Sequence, residues 1–181
     1  MTDQGNEKEG STMEHMNAKR IACRHEERIH ASARSIFPLL CPTAELKWIE
    51  GWDKQHAMIY SVSGVNEKHC MFKEYLSGPF LTDTPLTTFW ITTVHDPDAG
   101  RIEFVLLIGD AGIMTIDLTV TETGASRSSC RWDMTLTTLD QTMHAIPDQT
   151  IREKMLVTAA TLSRLLKHYC ETGSMMAFGA G

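Results

Sequence analysis

The last third of the chain has three runs of alternating apolar and polar residues followed by one long amphipathic segment. The runs cover residues 101–108, 113–120 and 129–137, and apolar residues at helical spacing extend from about 148 to 169. Alternation predicts strands with one buried face, and spacings of three and four predict a helix with an apolar stripe. The connections between the runs are short and rich in turn formers, which favours antiparallel hairpins. This order predicts a curved antiparallel sheet closed by a C-terminal helix.

The alternation also predicts which side chains share a face. A hairpin centred on the turn 123–125 pairs Leu118 with Cys130 and Asp117 with Arg131. One face of this hairpin is then apolar and the other polar, as a half-buried sheet requires.

Upstream of this region the pattern predicts further strands and two short helices. Strands are expected at 18–31, 57–63, 70–76 and 87–95, and the register of the last is ambiguous because both of its faces are apolar. A first short helix is expected at 33–40, where Pro42 stops it. Thr43 is the expected N-cap of a second short helix that ends at Gly51, with Leu46, Trp48 and Ile49 inward. The loop 77–85 is expected to flank an entrance.

The C-terminal helix is predicted to have Asp148 as its cap and Gly173 at its end. Its stripe is Ile151, Met155, Thr158, Leu162, Leu165 and Tyr169. The long C-terminal helix and the two short helices together cover less area than the concave face of such a sheet offers. An apolar cavity is therefore predicted, and the alternative is a gap filled by large side chains.

Composition limits the possible partners. The chain of 181 residues has a net charge of -6 and no basic stripe, so neither nucleic acid nor an anionic membrane surface is expected as a partner. No apolar stretch approaches the roughly 20 residues that span a bilayer, so no integral membrane contact is expected. Five scattered cysteines form no disulfide or zinc pattern, and with no apolar leader they favour a cytoplasmic location. Residues 1–17 and 174–181 are expected to be flexible tails around one domain at 18–173.

Several local phrases resemble one known superfamily. They are the segments 36–42 (IFPLLCP) and 48–52 (WIEGW), Phe72, Trp90-Ile91 before Asp96-Pro97, and His168-Tyr169 with Thr172-Gly173. The chain resembles the START-like, or polyketide cyclase/dehydrase, superfamily, which has the helix-grip fold of the birch pollen allergen. The resemblance implies an α+β fold: a curved seven-stranded antiparallel sheet, two short helices after strand 1, and a long C-terminal helix across the concave face. Members bind lipids, hormones, polyketides or quinones, cyclise polyketides, or act as co-chaperones, so the fold alone does not select a function.

The inward-facing positions of the strands and the apolar stripe of the terminal helix together predict the wall of a ligand-binding cavity. Its members are Phe72, Trp90, Phe104, Leu106, Met114, Ile116, Trp132, Met134, Met155 and Leu162. Aromatic and methionine side chains with few polar groups suit a hydrophobic or amphipathic ligand that is uncharged in its buried part. Trp132 suits an ordinary core as well as a cavity wall.

No nucleotide, calcium or serine-hydrolase motif is present in the sequence, and no cofactor or metal is expected. For acid–base catalysis the candidates are Glu74, which shares parity with Phe72, and His95. The leading hypothesis is a cytoplasmic protein that binds a hydrophobic or amphipathic small molecule in an internal cavity. The alternatives are a cyclase, dehydratase or hydrolase acting on a polyketide-like or aromatic substrate, and a co-chaperone-like interaction module. Ligand identity and oligomeric state are left open.

Overall fold

The structure is a computed structural model that describes residues 18–52, 57–74 and 86–177. The strands are β1 Arg20–Ile29, β2 Ala57–Tyr60, β3 Met71–Glu74, β4 Thr88–Asp96, β5 Arg101–Ile108, β6 Gly112–Gly124 and β7 Arg127–Thr138. The helices are α1 Ala33–Ile36, α2 Pro42–Glu45, α3 Gln141–Ala145 and α4 Asp148–Thr172, with a short 3-10 helix Phe37–Leu40 between α1 and α2.

The strands form one seven-stranded antiparallel sheet in the order β1-β7-β6-β5-β4-β3-β2. The core lies between one face of this sheet and the helices. The predicted fold class is confirmed. In β5 and β7 alternate residues are buried, as the alternation predicts.

The β6–β7 hairpin has the predicted faces and a different register. Leu118 lies opposite Trp132 and Asp117 lies opposite Asp133, so the predicted pairs were wrong by two residues. The tight turn is further along the chain than the glycine signal suggests, because Ser126 adopts a left-handed φ of 51° and β6 continues through a bulge to Gly124. A displacement of two residues keeps every side chain on its face, which is why the face assignment was correct.

A bulge resolves the ambiguous strand. In β4, Thr92 pairs with Phe104, and the register then shifts before Val94. After the shift His95 pairs with Ile102, which is fully buried. One extra residue changes the parity within the strand. A strict period of two over the whole of β4 therefore assigns apolar residues to both faces of the strand.

The second short helix starts earlier than predicted. α2 begins at Pro42 with Cys41 at the N-cap, so Thr43 is not the cap. Proline suits the first helical position because its φ is already helical. The helical part is one turn long, and helical spacing therefore does not extend to Leu46, which is 40% exposed rather than inward. Trp48 is buried as predicted and donates its indole N–H to the Leu39 carbonyl at 2.9 Å.

The long helix α4 lies along β1 and is held at both ends. Lys19 pairs with Asp148 at 3.0 Å, and Lys167 pairs with Glu27 at 3.0 Å. Pro147 is at the N-cap, so Asp148 lies in the first turn and does not cap the helix as predicted. A carboxylate in this position still interacts favourably with the helix dipole.

Two further features concern the ends of the C-terminal region. Gly173 ends α4 as predicted, with a φ of 71° and its N–H bonded to the Tyr169 carbonyl at 2.8 Å. The small helix α3 was not predicted, although Asp140 caps it by accepting the Met143 N–H at 2.7 Å. An aspartate at an N-cap is the signal that could have found it.

Some predicted segments lie outside the described residues, namely the tail 1–17, the end 178–181 and the whole of the predicted entrance loop 77–85. Residues 174–177 continue from α4 without regular structure. The domain boundaries therefore stay a prediction. No helix among the described residues is both long and apolar enough to cross a bilayer.

Candidate functional site

The predicted ligand-binding residues lie on the inner surface of the sheet and on α4. Eight of the ten are at most 5% exposed: Phe72, Phe104, Leu106, Met114, Ile116, Trp132, Met134 and Met155. The other two, Trp90 and Leu162, pack against the same core and keep part of their surface accessible. The eight buried side chains have almost no accessible surface, whereas Trp90 and Leu162 keep part of theirs.

Leu162 is partly accessible although its neighbours on α4 are not. Ala159 and Leu165, three residues away on either side, and Leu166, four residues on, are at most 2% exposed. Residues at these spacings share one face of a helix. The accessible part of Leu162 therefore lies on the side of α4 that faces the sheet.

Trp90 belongs to an aromatic cluster on the inner face of β3, β4 and β5. Its ring stacks on Phe72 with centroids 5.0 Å apart, and Phe104 meets both rings edge-on at 5.7 Å and 5.9 Å. Stacked and edge-on contacts of this kind fix the orientation of the rings. The indole N–H of Trp90 is thereby directed at Glu74, to which it donates at 3.2 Å.

Two carboxyl groups lie in this part of the interior. Burial raises the pKa of Glu74 to about 7, against which the Trp90 N–H acts by favouring the charged form. Burial also raises the pKa of Glu45 well above its usual range, and the negative charge of Glu74 adds to this rise. The Glu45 side chain as a whole is half-buried. We call Glu45, Glu74 and Trp90 the carboxyl site.

The carboxyl site has the properties of an acid–base group. A carboxyl with a pKa near neutrality exists in both forms at neutral pH and can either donate or accept a proton. Two neighbouring carboxyls resist being charged together, so one of them holds a proton more firmly. Perturbed carboxyls beside an apolar wall are typical of binding and catalytic sites.

The two catalytic candidates, Glu74 and His95, both face inward but lie far apart. Glu74 is opposite Thr88 at the start of β4, and His95 is near the end of the same strand. The separation along an extended strand is about 20 Å. The His95 ring packs against Phe37 with centroids 5.4 Å apart. The structure therefore places Glu74 within electrostatic range of Glu45 and far from His95.

Sequence reasoning missed Glu45. This residue is in a single-turn helix between a buried alanine and an exposed leucine, and no local pattern distinguishes it from a solvent-exposed glutamate. Glu45 and Glu74 are 29 positions apart in the chain, so only the tertiary structure lets the charge of Glu74 act on Glu45.

Among the described residues, neither the cysteine thiols nor the possible metal ligands form a candidate reactive site. In the parts of the chain that the structure describes, no three His, Cys, Asp or Glu side chains are grouped as metal ligands would be. Burial raises the pKa of Cys130 to about 12 and that of Cys170 to about 11. Both thiols are therefore protonated at neutral pH and are weak nucleophiles.

The opposite face of the sheet has a shallow groove of about 230 Å³. Its lining is polar, with Glu26, Thr119, Thr121, Thr123, Ser129 and Arg131. This groove lies outside the sheet, so it is separate from the predicted interior cavity.

Comparison with known proteins identifies the fold and not the activity. Neither a protein-family model nor a curated protein matches the chain. Solved structures do match. Norcoclaurine synthase from Thalictrum flavum, in complex with dopamine and hydroxybenzaldehyde, is 13% identical with a TM-score of 0.61, over 86% of this chain and 89% of that one.

Two bacterial proteins give similar matches. A START superfamily protein from Mycobacterium smegmatis is 14% identical with a TM-score of 0.57, over 84% of this chain and 99% of that one. Zhui aromatase/cyclase from Streptomyces sp. R1128 is 11% identical with a TM-score of 0.59, over 87% of this chain and 100% of that one. The likeness extends over most of each structure while few residues are shared. The chain therefore has the helix-grip fold of START-like proteins.

Proposed function

We propose that this protein binds a hydrophobic or amphipathic small molecule in a cavity between the concave face of the sheet and α4. The observation that carries the proposal is the accessible surface of Trp90 and Leu162. Both residues face inward, one from the sheet and one from the helix, while the side chains around them are buried. An apolar space with a few polar groups at one end is the usual form of a small-molecule site.

The lining supports an aromatic or similarly flat apolar ligand. Trp90 offers its ring at one end of the space, Phe72 and Phe104 hold that ring in place, and the carboxyl site is the polar group beside it. Norcoclaurine synthase, which has the same fold, holds two small aromatic molecules in its solved complex. A ligand of that size and character is compatible with the lining of this interior.

The experiment fills the proposed cavity from the helix. Leu162→Trp adds a large side chain at the accessible position, and Val157→Trp adds the same side chain at a position on α4 that is 66% exposed. The probe is N-phenyl-1-naphthylamine, an uncharged dye whose fluorescence rises in apolar surroundings. We expect micromolar binding by the wild type, at least about tenfold weaker binding by Leu162→Trp, and unchanged binding by Val157→Trp.

A second readout uses the natural ligand. Gently purified protein is denatured and its organic extract is analysed by mass spectrometry, with the Leu162→Trp protein as the comparison. A compound enriched in the wild-type extract and depleted from the variant supports the proposal. Absence of both an extracted compound and dye binding in the wild type would contradict it.

A second candidate function rests on the carboxyl site. The pKa of Glu74 near 7 and the neighbouring Glu45 favour acid–base catalysis, for example in a cyclase, dehydratase or hydrolase acting on an aromatic or polyketide-like substrate. Here Glu74 transfers the proton, and burial holds its pKa near 7. The test is turnover of a panel of poly-β-keto thioesters and aromatic esters. Enzymatic activity predicts turnover that Glu74→Gln abolishes while dye binding persists, and no turnover of any substrate counts against it.

We also propose that the protein resides in the cytoplasm. The cysteines of the described residues are free thiols, and thiols persist in reducing compartments. Cell fractionation followed by mass-tag alkylation of the thiols tests this, and oxidised cysteines in the native protein would contradict it.

A further inference from the structure

The interior beneath α4 contains three polar atoms that have no hydrogen-bond partner. They are His25 Nε2, Trp132 Nε1 and Ser163 Oγ, and none of them meets a donor or acceptor in the described part of the chain. Trp132 is 5% exposed and Ser163 is 0% exposed. Buried polar groups are nearly always paired, so a set of unpaired ones needs an explanation.

Two of the three atoms are neighbours across the sheet. His25 of β1 lies directly opposite Trp132 of β7. Both residues occupy the inward positions of their strands, next to exposed residues such as Arg24 and Glu26. Side chains directly opposite each other in an antiparallel pair have Cβ atoms about 5 Å apart.

The third atom, Ser163 Oγ, belongs to α4 and lies at a similar position along β1. Arg152 of α4 donates to the Ala22 carbonyl, and Lys167 contacts Glu27. Between these contacts a helix rises about 1.5 Å per residue and a strand about 3.3 Å. Ser163 therefore lies opposite the stretch 25–27 of β1, and its complete burial places it on the inward side. We call His25, Trp132 and Ser163 the inner polar layer.

The chemistry of these groups defines what would satisfy them. An indole N–H only donates, so Trp132 needs an acceptor. The Cys130 thiol is close enough for the indole N–H to oppose the rise in its pKa, but the two do not meet the geometry of a hydrogen bond. A sulfur is in any case a weak acceptor.

Ser163 also departs from the usual behaviour of its residue type. Helical serine and threonine commonly bond back to a carbonyl one turn earlier, as Thr158 does to Lys154 at 3.1 Å. The Ser163 hydroxyl makes no such bond. It is therefore available as a donor or an acceptor for something between the helix and the sheet.

We propose that the inner polar layer binds the oxygen atom of the ligand, which is an uncharged molecule carrying a carbonyl or phenolic group. This inference rests on the proposed function and names the class of ligand. Trp132 donates to the oxygen, Ser163 donates or accepts, and His25 completes the layer from β1. An apolar skeleton extends from this oxygen toward Leu162 and Trp90.

The binding test uses two probes of similar size. 2-Acetylnaphthalene has a carbonyl, and 2-ethylnaphthalene lacks it. The readout is the ratio of the two affinities, measured by isothermal titration calorimetry on the wild type, Trp132→Phe and Ser163→Ala. We expect each variant to weaken the ketone about threefold to tenfold and to change the hydrocarbon less than about twofold.

A second readout observes the tryptophan directly. In a ¹⁵N–¹H spectrum, the indole signal missing from Trp132→Phe belongs to Trp132. We expect the ketone to shift that signal downfield. The indole groups of Trp48 and Trp52 are internal controls, because they already donate to the carbonyls of Leu39 and Pro42 at 2.9 Å and 3.1 Å.

The outcomes separate the two proposals. If neither probe binds, the proposed function and this inference both fail. If both bind and the affinity ratio is the same in all three proteins, the cavity remains and the inner polar layer is refuted as the anchor. The layer is likewise refuted if the ketone leaves the Trp132 indole signal in place, since an internal water then satisfies these polar atoms.

Discussion

The carboxyl site and the inner polar layer are both polar regions in an apolar interior, but the cost of burying their polar groups is reduced in different ways. Glu45 and Glu74 can lose their charge by binding a proton, and their raised pKa values show this response. Trp132 and Ser163 are neutral and have no such response. A buried neutral donor is satisfied only by a partner. The carboxyl site is therefore expected to respond to pH, and Trp132 and Ser163 to a ligand.

The two regions also differ in packing. Around the inner polar layer α4 lies against β1, and Met155 and Ala159 are 0% exposed. Around the carboxyl site Trp90 keeps accessible surface and the helices are single turns. The interior is thus closed around Met155 and Ala159 and more accessible around Trp90.

The largest expected effect compares a closed position with an open one on α4. Met155→Ala removes a fully buried side chain and is expected to lower the free energy of unfolding by about 2–5 kcal/mol. Leu162→Ala removes a side chain that is already partly accessible, so we expect a smaller loss of about 1–2 kcal/mol. Urea denaturation monitored by circular dichroism measures both. Equal losses would show that Leu162 is packed as tightly as Met155.

The second-largest expected effect is the pH dependence of stability that Glu74 of the carboxyl site contributes. The pKa of Glu74 is about 7 in the folded protein and near 4.5 when unfolded, so the folded state binds the proton more firmly. The stabilising contribution is complete below the unfolded pKa, and it is lost as pH rises through the folded pKa. We expect Glu74→Gln to lack this loss and to exceed the wild type in stability at pH 8 by about 1–3 kcal/mol, with little difference near pH 4.5.

The control for this prediction is Glu67→Gln. Hydrogen bonds from Ser63 and Val62 lower the pKa of Glu67, so its contribution is constant between pH 5 and pH 8. Its stability difference from the wild type should therefore not vary across that range. Urea denaturation at several pH values gives the slopes, and a Glu74→Gln slope equal to that of the wild type would refute the assignment.

The smallest effect concerns the Trp90 donor. Trp90→Phe removes the N–H that favours the charged form of Glu74, so the pKa of Glu74 should rise above 7. Carboxyl ¹³C chemical shifts followed over pH measure this change. Trp132→Phe is the matched substitution in the inner polar layer and should leave the Glu74 titration where it is. A fall in the Glu74 pKa on removing the Trp90 donor is the contrary result.

Much of the fold follows from local patterns in the sequence. Residues such as Met114, Ile116 and Met134 were assigned to the buried face because alternation is a property of each strand alone. The same reasoning assigned the β6–β7 faces correctly and the pairs wrongly, since register depends on the turn. Nothing in the residue types around the turn indicates that Ser126 adopts a left-handed conformation.

The candidate site follows much less from the sequence. Glu74 was predicted to face inward from its parity with Phe72, whereas its neighbour Glu45 comes from a helix of one turn with no informative pattern. The layer of His25, Trp132 and Ser163 joins the first strand, the last strand and the final helix. Alternation and helical spacing specify which way a side chain points, because both are set by the backbone of a few adjacent residues. Which inward side chains meet depends on strand order and on where α4 lies, and those are set by contacts between distant parts of the chain.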